Sequence, residues 1–239
     1  MWRVTSSISP GTDLWHRYGQ SLVCDDVKRG VDGRLFWDWY QRTGPGAEIL
    51  GELTGRTVVD AGSGNSRQAA HIAEALNAAR VVAIDASAGQ IDRGREMFGH
   101  VARLEFVHAD AADHLAAAPD SVDVAYSLFG AADFTDPRTL LPAIATALRP
   151  GGTLVIATLA HYSSGQPPET DLRPASIPVR RADGARTTML RWVLDIPVWE
   201  KALTEAGFGD LTTVTIRDAG TEQQKPMATN LFRAVRYPG

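Results

Sequence analysis

With 239 residues, 44% of them hydrophobic, the chain can bury one full core and reads as a single α/β domain or one domain with a lid. A formal net charge of −4 supplies no global basic field, which argues against nucleic acid as a partner. Cys24, the single cysteine, has no partner for an intramolecular disulfide, the N-terminus holds no apolar run of signal-peptide length, and no stretch approaches the roughly 18 apolar residues of a membrane span. The expectation is a cytoplasmic protein whose partner is small or neutral.

Residues 1–55 fall outside any strand–helix alternation and hold four of the six tryptophans, Trp2, Trp15, Trp37 and Trp39. Phe36, Trp37 and Tyr40 stand at helical spacing, so a helical lid is expected here with part of this set buried. The core proper is expected over 56–239. Runs rich in Val, Ile and Leu recur at 57–61, 80–84, 104–108, 122–128, 153–159, 211–217 and 231–236, with Ala-rich helical segments between most of them. That is the pattern of βαβ units: a Rossmann-like, seven-stranded, mostly parallel sheet with helices on both faces. The last two strands lack a long connector, which makes the final strand antiparallel.

Between the first two strands, SRQAAHIAEALNAA puts Ala69, Ile72, Ala73 and Leu76 on one face, with Ser66 or Asn65 as its cap. Asp136-Pro137 starts a helix over about 137–148, ended by Pro150-Gly151-Gly152. A third runs over about 197–206, with Gly207 as its C-terminal cap. Residues 160–196 interrupt the alternation and read as an insertion covering the mouth of the sheet.

The segment Val58-Val59-Asp60-Ala61-Gly62-Ser63-Gly64-Asn65-Ser66 is a buried strand running into a glycine turn and then a helix. Glycine lets backbone approach a ligand closely, and the helix start offers free N–H groups to an anionic or polar one. Alone, such a turn is also read as purely structural. Asp85 ends the second strand, where a carboxylate can accept both hydroxyls of a ribose, and Asp110 closes the third, where it either accepts from an adenine amino group or caps a helix. A dinucleotide turn needs a third glycine where Arg67 stands. Asp60 beside the turn suits an ammonium better than a pyrophosphate, whose oxygens it would repel.

In these features the chain resembles the class I S-adenosylmethionine-dependent methyltransferase superfamily. The resemblance rests on Asp60, Gly62 and Gly64 in the first motif, on VVAIDAS at 81–87, HADAAD at 108–113, DSVDVAYSLFGAADF at 120–134 and LRPGGTLVIATL at 148–159. Ser66 departs from it at the third glycine. The resemblance implies a cofactor site in which Gly62 and Gly64 pass under the methionine portion with Asp60 and Ala61 beside them. Asp85 with Ala86 would bind the ribose, Asp110 with Ala111 the adenine, and Ser127 would reach the methionine. Ser87 either caps the next helix or touches the ligand. The implied activity is methyl transfer to an O or N atom, or a C atom, of a small molecule, giving S-adenosylhomocysteine. A cofactor-binding protein without methyl transfer is the alternative.

Methyl transfer from a sulfonium needs an aligned acceptor, and a base where the acceptor is protonated. His161, just past the fifth strand, is the candidate base, or else a wall residue. Trp15, Tyr18, Trp37, Asp133, Tyr162 and Trp192 are candidate substrate contacts; for the N-terminal aromatics the other reading is packing against the sheet, and for Asp133 a turn residue. Arg180, Arg181, Arg186 and Arg191 either meet an anionic substrate or lie in a solvated loop. No HExxH or CxxC spacing occurs, so no metal is expected. The apolar N-terminal segment is also a candidate homodimer surface.

Overall fold

A computed structural model describes residues 33–180 and 184–237. The candidates Trp15 and Tyr18 lie outside the described residues, as do Cys24 and Arg181. A single 3-10 turn at Ala47–Leu50 leads into β1 (Thr57–Ala61), α1 (Arg67–Ala75), β2 (Arg80–Asp85), α2 (Ala88–Phe98), β3 (Leu104–His108), α3 (Ala111–Ala116) and β4 (Val122–Leu128). There follow α4 (Ala131–Phe134), α5 (Pro137–Ala147), β5 (Leu148–Leu159), β6 (Ala175–Arg180), β7 (Arg186–Arg191), α6 (Ile196–Glu205), β8 (Phe208–Asp218) and β9 (Met227–Arg236).

Seven strands form one sheet in the order β3-β2-β1-β4-β5-β9-β8. The pairs from β3 through β5 are parallel, and β9 runs antiparallel to both its neighbours. The expected seven strands are therefore all present, with the mostly parallel sheet and the antiparallel last strand. β6 and β7 were not expected; they form a separate antiparallel hairpin within the 160–196 insertion. Its alternation of Thr, Met and Leu with Arg is short and half exposed, so it carries little of the apolar signal that marks the central strands.

Consecutive residues of the central strands feed two cores on opposite faces of the sheet. Val59, Ala61, Val82, Ile84, Ala125 and Ile156 pack under α3, α5 and α6 with Leu115, Leu140, Ile144, Trp199 and Leu203. Val58, Val81, Ala83, Val124, Tyr126 and Val155 pack under α1 and the segment before β1 with Ile72, Leu50 and Trp37. Each fully buried large apolar side chain contributes about 1.5–3 kcal/mol. With both faces apolar, hydrophobicity alone sets register weakly. Polar pins at the strand ends supply it. At the amino-terminal edge Asp123 accepts from Thr57 N at 2.8 Å and pairs with Arg149 at 2.8 Å. At the carboxyl edge Ser127 Oγ donates to Ala61 O at 2.8 Å and accepts from Ala132 N at 3.1 Å. β1 and β4 are thereby held so that Asp60 and the glycine turn arrive at the carboxyl edge.

One local expectation is corrected and a second is narrowed. Residues 33–46 form bends and turns rather than a helix. Asp38, itself buried, accepts from the N–H groups of Tyr40, Arg42 and Thr43, so its side chain captures donors that a helix would use. Of the two expected caps of α1, Ser66 takes a left-handed φ of 62° and makes no capping bond, its hydroxyl facing Ser63 Oγ at 3.2 Å, while Asn65 Oδ1 accepts from Arg67 N at 3.4 Å. Asp136 and Ser87 do cap their helices, and Gly207 follows α6 with a φ of 90°. Among the described residues no helix is long and apolar enough to cross a membrane.

Candidate cofactor and methyl-transfer site

β1 delivers Asp60 and the turn 62–65 to the carboxyl edge, beside the ends of β2 and β4 to which it pairs. Gly62 N and Ser63 N both donate to Ile84 O at 2.9 Å, folding the turn over the end of β2. Gly62 has a φ of +84°, and a side chain there would collide with the backbone of Gly130 and Ala131, so the β4–α4 turn and the glycine turn are in direct contact. Gly64, at φ +54°, has nothing within 4 Å of where a Cβ would stand. Open space over a left-handed glycine is where a ligand can lie against backbone.

Asp60 is 3% exposed and accepts from Tyr126 Oη at 2.8 Å. Burial pushes its carboxyl up to about 7, against the pull of that hydrogen bond, and the nearby Asp85 charge adds to the rise. Tyr126 is pushed well above its ordinary range by burial and by Asp60. Tyr126 was absent from the expected site. Its signal was a tyrosine in an otherwise apolar central strand, since a buried phenol needs a partner and Asp60 is its register neighbour. Trp37 stands behind it, edge-on to the Tyr126 ring at 6.0 Å with Nε1 donating to Gly46 O at 2.9 Å. It is buried in the core, where it supports the Tyr126–Asp60 pair, and offers no open face to a substrate.

Asp85 accepts from Gly64 N at 2.9 Å and from Ser87 N at 2.8 Å, one on each oxygen, and so braces the glycine turn. Each oxygen keeps a second lone pair for a ribose hydroxyl. Burial raises its carboxyl from the ordinary value, opposed by those two N–H groups. Ala86 is exposed beside it, and His108 Nε2 lies 3.1 Å from Ala86 O. Asp110 is exposed and caps α3 through Oδ1, which accepts from Ala112 N and Asp113 N. Ala111, by contrast, is buried in the first turn of α3. Ser127 is fully buried, its hydroxyl donating to Ala61 O and accepting from Ala132 N, so it positions β1 against α4.

On the acceptor side, His161 is half-buried with Nδ1 2.9 Å from Tyr162 O. Tyr162 is buried and donates to Glu169 Oε1 at 3.2 Å; burial and Glu169 push its phenol up to about 12. Asp133 is neither a turn residue nor open to solvent. It is fully buried, and its Oδ2 pairs with Arg191 Nη2 at 2.5 Å and Nε at 3.1 Å. Arg191 therefore departs from the solvated-loop expectation, while Arg186 is exposed. Trp192 is buried in the core below this pair, with its N–H donating to Asp133 O at 2.7 Å. Among the described residues no group of three or more His, Cys, Asp or Glu gathers as a metal cage would.

The sheet order, with its antiparallel last strand, and the glycine turn at the end of β1 define an α/β Rossmann-like class of protein. Residues 58–152 match the methyltransferase domain family. The chain is 33% identical over 169 residues to the O-methyltransferase rstn1 of Aspergillus nomiae, covering 64% of this chain and 74% of that protein. It is 38% identical over 104 residues to a demethylmenaquinone methyltransferase of Clavibacter sepedonicus, covering 44% of this chain and 41% of that protein. A solved S-adenosylmethionine-dependent methyltransferase from Mesorhizobium loti superposes with a TM-score of 0.56 at 23% identity, over 79% of this chain and 94% of that one. The chain belongs to the S-adenosylmethionine-dependent methyltransferases. It spans about two fifths of the length of the first curated relatives it matches, at 41%, 40% and 42%.

The residues present fit that cofactor on two observations. A buried carboxylate, Asp60, stands ready for an ammonium, and the space over Gly64 is open for a ligand backed by Asp85.

Proposed function

We propose that the protein transfers a methyl group to an O or N atom, with C as the remaining option, of a small molecule. S-adenosylmethionine supplies the methyl group on a sulfonium, and the acceptor's lone pair forms the new bond as the carbon–sulfur bond breaks with its electrons going to sulfur. The proposal rests foremost on the brace between Asp85 and Gly64, which holds an open glycine turn beside a buried acid at one strand edge.

On this reading Asp60 holds the ammonium, Asp85 with Ala86 the ribose, and Asp110 with Ala111 the adenine end. Gly62 and Gly64 lie under the methionine portion. His161 is the candidate base. Its Nδ1 faces a carbonyl oxygen, which only accepts, so Nδ1 is the donor and Nε2 is the ring atom left for an acceptor's proton. Residues 1–55 are proposed as a lid, and 160–196, with the β6–β7 hairpin, as the part that covers the acceptor. The net charge of −4 supports a small molecule, of biosynthesis or detoxification, over nucleic acid, and the single cysteine supports a cytoplasmic setting. Oxygen is favoured over nitrogen by the name of the Aspergillus relative. The test is incubation with methyl-labelled S-adenosylmethionine and a panel of phenols, carboxylates and amines. Label should move to at least one acceptor in an Asp85-dependent manner; cofactor binding with no transfer to any acceptor would favour a non-methylating role.

A further inference from the structure

The β4–α4 turn that touches Gly62 carries, on either side of Gly130, the ring of Phe129 and the carboxylate of Asp133. Trp39 stands edge-on to Phe129 at 5.1 Å and is 37% exposed. The Arg191 guanidinium lies 5.3 Å from the Trp39 ring and 5.2 Å from the Phe134 ring, and its charge is met by Asp133 Oδ2. Arg191 is the charged partner of the buried Asp133 carboxylate, and the Thr158 hydroxyl stands beside it. One guanidinium thus ties together three segments distant in sequence: the stretch before β1, the β4–α4 turn and the end of the β6–β7 hairpin. The backbone bond from Trp192 N to Asp133 O closes the same seam.

A buried ion pair is a weak source of net stability, because desolvation consumes most of its attraction, yet it fixes geometry strongly. Here it also cancels the guanidinium charge beside an aromatic wall of Trp39 and Phe129 that begins one residue from the glycine turn's contact. We propose that Arg191, locked by Asp133, is a specificity-determining positioning residue: it sets Trp39 and the hairpin against the β4–α4 turn, so that this side of the site takes a flat, uncharged ring. This rests on the methyl-transfer reading above.

The test uses the full chain saturated with S-adenosylhomocysteine and two probes of matched shape, 2-naphthol, neutral at pH 7, and 2-naphthoate, anionic. Calorimetry should show wild-type protein preferring 2-naphthol by about tenfold or more. Trp39→Leu should weaken 2-naphthol binding by at least about fivefold while S-adenosylhomocysteine affinity stays within about twofold, since stacking on an exposed ring needs no change in the fold. Asp133→Asn leaves the guanidinium uncompensated and should shift the preference toward 2-naphthoate by about tenfold or more, a reversal that mere loosening would not produce. Equal wild-type affinity for the two probes, or a Trp39→Leu variant binding 2-naphthol as before, would overturn the assignment. So would an Asp133→Asn variant that binds the cofactor yet loses both probes alike. Failure of wild-type protein to bind S-adenosylhomocysteine would instead remove the cofactor reading beneath it.

Discussion

Asp60 gives the cofactor assignment a proton signature. Its carboxyl is held up to about 7 by burial, so near neutrality the ligand-free protein is partly protonated there. A ligand that places an ammonium against Asp60 requires the charged form, and binding below that value must expel a proton. For one group titrating at about 7, the apparent Kd carries a factor of one plus ten to the power of seven minus pH, which weakens S-adenosylhomocysteine binding about tenfold between pH 8 and pH 6. Asp85 is shifted in the same direction by burial. The fold follows the opposite sign. Folded protein holds the Asp60 proton more tightly than unfolded chain, so this group's contribution to stability is fully present below the carboxyl's ordinary 3.8 and is lost as pH rises through about 7. Calorimetry at pH 6 in two buffers of different ionisation enthalpy should count about one proton released per ligand bound, falling toward none at pH 8. Asp60→Asn keeps an acceptor for Tyr126 and should flatten both the affinity and the stability profiles. Affinity that does not change between pH 6 and pH 8, or an Asp60→Asn variant with the wild-type slope, would refute the placement of the ammonium.

Asp85→Ala deletes a carboxylate that takes two backbone N–H groups, and should weaken S-adenosylhomocysteine binding at least about tenfold in a titration, with far-ultraviolet dichroism unchanged. Gly62→Ala puts a side chain at φ +84° against the backbone of Gly130 and Ala131; the left-handed conformation alone costs about 1–2 kcal/mol, and the collision adds to it, so the urea midpoint should fall clearly. His161→Ala should lower the methyl-transfer rate for a phenolic acceptor while leaving cofactor affinity as it is; an unchanged rate returns His161 to the wall.

The sheet was legible from sequence because parallel strands buried on both faces leave near-continuous apolar runs. β1, β3 and β4 match their expected spans, and β5, β8 and β9 extend beyond theirs. The extensions carry polar, glycine or isolated apolar residues, as in Arg149-Pro150-Gly151 of β5 and Thr229-Asn230 of β9, and so lack a continuous apolar run. The glycine turn and the acids were legible because each residue type carries its own chemistry. What sequence did not reveal depends on contacts between distant segments. Nothing local to Trp37 says that its ring will back Tyr126, and nothing local to Arg191 says that Asp133, far back in the chain, will neutralise it. Ser127 was correctly placed at the end of β4, but whether its hydroxyl faces a ligand or the backbone of Ala61 depends on a neighbouring strand.

The most direct measurement is parallel calorimetric titration of the purified protein with S-adenosylmethionine, S-adenosylhomocysteine and NAD. The account predicts saturable one-to-one binding of both adenosyl ligands and none of NAD, with Asp85→Ala weakening both. Binding of NAD, or of neither adenosyl ligand, would contradict it.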